Sequence, residues 1–95
     1  MRKYEIMMII SPELDERQVT PRVEKYLELI TNNGGSVDEF DLWGKRRLAT
    51  EINKKTEGIY VVLKLTSTPA DVQELNRQFG INEQIMRTKV FLLDK

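Results

Sequence analysis

Apolar residues recur along this chain with two different periods, and the switches between them mark its elements. Tyr4, Ile6, Met8 and Ile10 alternate with Lys3, Glu5, Met7 and Ile9, so residues 3–10 read as a strand closed by Ser11-Pro12. Val19, Val23, Tyr26, Leu27 and Ile30 then fall three or four apart, which gathers them on one helical face. Asn32-Asn33-Gly34-Gly35 ends that helix with residues tolerant of left-handed backbone. Its start has two readings, because Pro21 has no N–H to donate inside a helix. Either Thr20 caps it with Pro21 in the first position, or it begins earlier, from Asp15, and kinks at Pro21; the earlier start is preferred.

Alternation returns over residues 37–49, a second strand that is polar on one side. Asn53-Lys54-Lys55-Thr56 reads as a turn, and residues 58–66 as the most apolar strand. Thr68-Pro69-Ala70-Asp71 has the chemistry of a helix start: a hydroxyl cap, a proline first and an acid at the positive dipole end. Val72, Leu75 and Phe79 form the buried stripe of this helix, Gly80 stops it, and residues 84–93 read as the last strand. The order βαββαβ predicts an α+β, ferredoxin-like sandwich: a four-stranded antiparallel sheet with two helices on one face. Right-handed crossovers place the first and third strands in the centre. With 95 residues, the chain is expected to form a single domain over 1–95.

In this fold one set of strand side chains meets the helices and the other lines an open face. Tyr4, Ile6, Met8, Ile10, Ile59, Val61, Leu63, Leu65, Met86, Thr88, Val90 and Leu92 are assigned to the helix side. The open face then carries Met7, Ile9, Tyr60, Val62, Phe91 and Leu93 beside Lys3, Lys64, Arg87 and Lys89. A contiguous apolar patch of a few hundred Å² is worth several kcal/mol of burial at ~25 cal/mol per Å². The open face is therefore expected to take a partner, with Met7, Ile9, Trp43, Tyr60, Val62 and Phe91 as its contacts.

Lysine plus arginine and aspartate plus glutamate number 15 each, so the net charge is zero and polyanion binding has to come from local clustering of cations. Arg46, Arg47, Lys54 and Lys55 are expected to crowd one hairpin end, with Arg2 and Lys3 opening the neighbouring strand. The competing reading is a solvated hairpin whose cations pair with Glu51 and Glu57. Trp43 stacks on a base or packs against the protein, and Gly44 marks a bulge or a close backbone approach. Tyr60 alone does not make the aromatic set of an RNA-recognition module.

There is no cysteine or histidine, which removes thiol nucleophiles, disulfides, imidazole ligands and the commonest general base. No phosphate-binding glycine loop opens a helix, and Ser11-Pro12-Glu13-Leu14 is not the arginine-bearing loop of an acyl-phosphate hydrolase. No enzymatic activity, small-molecule substrate, cofactor or metal is expected. Met1-Arg2-Lys3 leads into five apolar residues, Ile6 to Ile10, too few for a signal peptide or a membrane span.

The block Trp43-Gly44-Lys45-Arg46-Arg47-Leu48-Ala49, with Ile52 and Gly58-Ile59-Tyr60, resembles the family of the sixth protein of the bacterial small ribosomal subunit. Arg2-Lys3-Tyr4-Glu5, Asn33-Gly34-Gly35, Glu74-Leu75-Asn76-Arg77 and Met86-Arg87-Thr88-Lys89-Val90 extend the likeness over nearly the whole chain. Thr50 departs from it, since relatives usually carry tyrosine there. The resemblance implies a non-enzymatic protein of the cytoplasmic ribosome. It implies binding to the central domain of 16S ribosomal RNA as a heterodimer with the subunit's eighteenth protein. Arg2, Arg46 and Arg47 match RNA-side positions best, and Lys3, Lys54, Arg87 and Lys89 complete the candidate set. The alternative is a small-ligand regulatory module that forms a homodimer through its sheet.

Overall fold

Asp15 determines where the first helix begins. Its carboxylate accepts from the backbone N–H of Arg17, while the Gln18 side chain accepts from the Asp15 N–H, closing a capping box. The computed structural model describes residues 1–52 and 54–93. It contains β1 (Arg2–Ile10), α1 (Glu16–Asn32), β2 (Ser36–Ile52), β3 (Lys55–Ser67), α2 (Pro69–Gly80) and β4 (Ile85–Leu92). Helix α1 thus takes the earlier of its two starts, with Pro21 inside it. Thr68 caps α2 through its hydroxyl, which accepts from the Asp71 N–H, and Pro69 occupies the first turn.

The four strands form one antiparallel sheet in the order β2-β3-β1-β4, the arrangement expected from right-handed crossovers. Strands β2 and β3 are longer than their apolar runs suggested. Lys55 and Thr56 belong to β3 rather than to the turn, and Asn53 lies outside the described residues. Backbone pairing continues past the apolar segment, as far as Ile52 opposite Lys55, without needing burial. Lys54 next to it adopts a left-handed φ of 63°.

The core lies between the sheet and the helices. Ile6, Met8 and Ile10 from β1 and Ile59, Val61, Leu63 and Leu65 from β3 meet Val19, Val23, Leu27 and Ile30 of α1 and Leu75 and Phe79 of α2. Tyr26 meets Phe79 edge-to-face at 5.2 Å, and its hydroxyl accepts from the Asn82 amide at 2.8 Å. Each element therefore uses the stripe its periodicity predicts. Strand β4 is the exception. A register shift between Ile9 and Ile10 leaves Met86 outside the pairing and sets Ile85 opposite Ile10. Ile85 packs on the core in place of Met86, because one extra residue reverses the alternation. Leu92, assigned to the helix side, remains 48% exposed at the open end of this edge strand.

A second irregularity leaves Asp38 unpaired in β2, between Val37 and Glu39. The Asp38 carboxylate accepts from the hydroxyls of Thr66 (2.6 Å) and Ser36 (2.8 Å), which pins the bulge to β3. Those two bonds, Thr66 first, hold the Asp38 carboxyl below its ordinary value of 3.8.

Phe79 is wholly buried, so Phe79→Ala should cost about 3–5 kcal/mol of unfolding free energy, read by urea denaturation. A loss under about 1 kcal/mol would mean that the α1–α2–sheet core is not the unit that holds the fold together. Near pH 3.8 the unfolded chain binds more protons at Asp38 than the folded one, so stability falls as acid takes pH below that value. Asp38→Ala should flatten this acid limb and leave pH 5–8 stability nearly flat; an unchanged slope in denaturation at stepped pH values would rule the contribution out.

Candidate interface on the open face of the sheet

Strand register arranges the uncovered face in rows across all four strands. Gly44, Tyr60, Ile9 and Arg87 share one row; Asp41, Val62, Met7 and Lys89 share the next; Glu39, Lys64, Glu5 and Phe91 share the third. Arg46 stands opposite Gly58, beside the first row, and Ser36, Thr66 and Lys3 lie at the far end. The face is apolar in the centre. Asp41 and Glu39 stand on β2 with Arg46 beyond them toward the hairpin, and Arg87 and Lys89 stand on β4.

Trp43 reaches this face because β2 bulges at it. Leu42 pairs with Val61 and Gly44 with Tyr60, so Trp43 is the extra residue. The bulge requires Gly44, whose φ of 91° suits no other residue well. A side chain there would also press on the Glu16 carboxylate, which accepts from the Lys45 N–H at 2.8 Å and ties the start of α1 to β2. The indole lies parallel to the Tyr60 ring, with planes 3° apart and centroids 6.2 Å apart. Its Nε1–H donates to the Asp41 carboxylate at 3.1 Å. Trp43 is nevertheless 44% exposed, so it is a surface aromatic held in one orientation rather than a core residue.

Two expected contact residues are not free to serve as such. Ile9 is only 9% exposed and Val62 only 7%. A Cβ at position 58 would lie 2.4 Å from Ile9 Cγ2 and 3.6 Å from Leu48 Cδ2, so both side chains crowd over Gly58. Alternation assigned a face correctly, but neighbours on both sides shield the two central strands. The exposed apolar area comes from the rim instead: Trp43, Phe91 and Leu93 are each at least 44% exposed, with Met7 and Tyr60 partly covered.

The cations also divide. Arg46 and Arg47 stand opposite Gly58 and Glu57 at the hairpin end, with Arg87 opposite Ile9 nearby. Arg2 and Lys3 pair with Ser67 and Thr66, at the other end of β3. About eight residues of strand, some 26 Å, separate the two groups, so the single cluster expected from the sequence is two. Antiparallel pairing of β1 with β3 is the reason: the start of β1 meets the end of β3, away from the hairpin. Lys89 sits mid-face beside Met7. Among the described residues, no ion pair joins Arg46, Arg47 or Lys54 to Glu51 or Glu57. Lys55 pairs with Glu13 and Lys64 with Glu39, while Arg46 donates to the Trp43 carbonyl oxygen at 3.4 Å.

A cleft of about 660 Å³ against the helices is lined by Pro21, Arg22, Lys25, Tyr26, Gln78 and Asn82, with no carboxylate and no nucleophile paired to a base. Among the described residues no group of histidine, cysteine, aspartate or glutamate is placed to hold a metal. Sequence reasoning missed Asp41 and Glu16. Asp41 lies two residues before Trp43 on a strand, which is a readable signal; the contact of Glu16 with Lys45 spans the fold and leaves none.

The model of the family described as ribosomal protein S6 matches residues 3–91. A small ribosomal subunit protein bS6 from Beutenbergia cavernae is 56% identical over 94 residues, 99% of this chain and 98% of that one. One from Nocardia farcinica is 54% identical over 95 residues and the full length of both. The crystal structure of 30S ribosomal protein S6 from Thermotoga maritima superposes with a TM-score of 0.83 at 32% identity, over 97% of this chain and 87% of that one. The C-terminal domain of the MgtC protein from Mycobacterium tuberculosis shares the fold alone, at 12% identity and a TM-score of 0.66. The ferredoxin-like sheet, the tryptophan-glycine bulge with its arginines, and likeness over nearly every residue agree: this chain belongs to the ribosomal protein S6 family.

Proposed function

We propose that this protein is a structural constituent of the bacterial small ribosomal subunit, working in the cytoplasm without catalytic activity. In this reading it binds the central domain of 16S ribosomal RNA together with the subunit's eighteenth protein during assembly of the platform. One observation carries the reading: a single sheet face with an exposed aromatic at each rim, Trp43 on β2 and Phe91 on β4, and cations at the hairpin end and on β4. Family membership supports the ribosomal setting.

Charge supports a joint rather than a solitary binder. A chain of zero net charge has no long-range attraction for a polyanion, and its cations lie in two separated groups. Arg46, Arg47 and Arg87 are the group that a phosphate backbone at the hairpin end would meet, with Lys54 at the turn and Lys89 behind. Arg2 and Lys3 would meet a second stretch of backbone. A basic protein seated on the aromatic rim adds phosphate contacts that this chain lacks, and linkage of the two binding events raises the affinity of both.

Arg46→Ala with Arg47→Ala should weaken binding of the two-protein complex to a central-domain RNA fragment by about tenfold or more, and should lower the salt slope by roughly one to two. The melting temperature of the free chain should stay nearly unchanged, since both side chains are exposed. Filter binding at stepped salt reads the result. Full affinity and an unaltered slope would take these arginines off the RNA side. If wild-type chain and eighteenth protein together bind the fragment no better than either alone, the proposed function itself fails.

A further inference from the structure

Residues 39–43 of β2 give the open face an acidic and aromatic stretch, with Arg46 beyond it at the hairpin end donating to the Trp43 carbonyl oxygen. Trp43 and Tyr60 present parallel rings, and Asp41 stands beside them with one carboxylate oxygen bonded to the indole N–H. That bond uses Oδ2; Oδ1 has no described partner and the residue is exposed. Glu39 lies two residues further along the same face and is matched to Lys64 at 3.3 Å.

From this arrangement, and resting on the reading of a joint protein and RNA binder, we infer that Asp41, Trp43 and Tyr60 form a receptor for a cationic side chain, an arginine above all, carried by the protein partner. The faces of indole and phenol rings are electron-rich and attract a cation laid over them. A guanidinium is planar, so it can stack on the ring and turn an edge N–H toward a carboxylate; an ammonium cannot do both as well. The indole–carboxylate bond holds ring and acid in fixed relation before the partner arrives, which lowers the ordering cost of binding.

A nucleobase stacked on the same ring fits less well. Its phosphates would have Asp41 on one side and only Arg46 on the other, since Arg87 and Lys89 stand three strands away, about 14 Å across the sheet. The face is thus divided. Acid and aromatic groups over residues 39–43 of β2 suit a basic protein, while Arg46 at the hairpin end and Arg87 and Lys89 on β4 suit RNA.

The test is calorimetric titration of the full chain with the purified eighteenth protein at stepped salt. Asp41→Asn keeps an acceptor for the indole and removes the charge. Trp43→Leu keeps apolar bulk and removes the ring. Each should weaken binding by about tenfold, and Asp41→Asn should also flatten the salt dependence. Their melting curves, recorded alongside, should match the parent and so exclude a folding defect. Full affinity in Asp41→Asn would overturn the receptor and leave an apolar contact only. Loss of binding by Trp43→Leu to the RNA fragment alone, with the protein partner unaffected, would make the ring a base platform and overturn it too. Those two results leave the proposed function standing, whereas a wild-type chain that does not bind the eighteenth protein removes both.

Discussion

A four-stranded sheet has two faces, and two helices can cover one. Everything distinctive about this protein follows from that shortage of cover. Helices α1 and α2 bury the alternate set of β1 and β3 residues, with Ile6, Met8, Ile59, Val61, Leu63 and Leu65 at or near zero exposure. The opposite set must then tolerate water or find other neighbours. In the middle of the sheet it finds them within the chain, as Ile9 and Leu48 do over Gly58. At the rims it does not, and Trp43, Phe91 and Leu93 remain open. A fold of this architecture is thus closed on one side and leaves apolar side chains exposed along the edges of the other.

Bulges decide what those edges display. Three of the four register shifts among the described residues, at Asp38, at Trp43 and between Ile9 and Ile10, each change the alternation by one residue. The first gives β2 a carboxylate that two hydroxyls hold. The second swings an indole onto the open face beside Tyr60 and demands a glycine with left-handed backbone. The third exchanges Met86 for Ile85 in the core. Each moves a side chain to the other side of the sheet at the cost of one ladder position, so a regular sheet of the same composition would present a different surface.

Zero net charge has meaning only together with this placement. The cations do not cancel the acids locally everywhere: Lys64 meets Glu39 and Lys55 meets Glu13, but Arg46, Arg87 and Lys89 on the face, and Arg47 beside the hairpin end, have no carboxylate in ion-pair range among the described residues. Exposed pairs such as these contribute little to stability, so their arrangement bears on recognition more than on folding. A molecule built this way has no long-range attraction for a polyanion, so any such contact would have to be short-range.

Element order, strand pairing and the helix caps were legible in the residues themselves, because periodicity and cap chemistry are local. Val19, Val23, Leu27 and Ile30 could share a face only in a helix, and Thr68-Pro69 could open one. Alternation also told which side of β1 and β3 meets the helices. It could not tell that Ile9 and Val62 would be covered, since covering depends on residues from other strands. That Arg2 and Arg46 stand far apart follows from the antiparallel direction of β1 against β3, which the element order already implied. Local chemistry settles which elements form; the packing of distant segments settles which of their side chains are left for a partner to touch, because exposure is a property of neighbours and not of the residue.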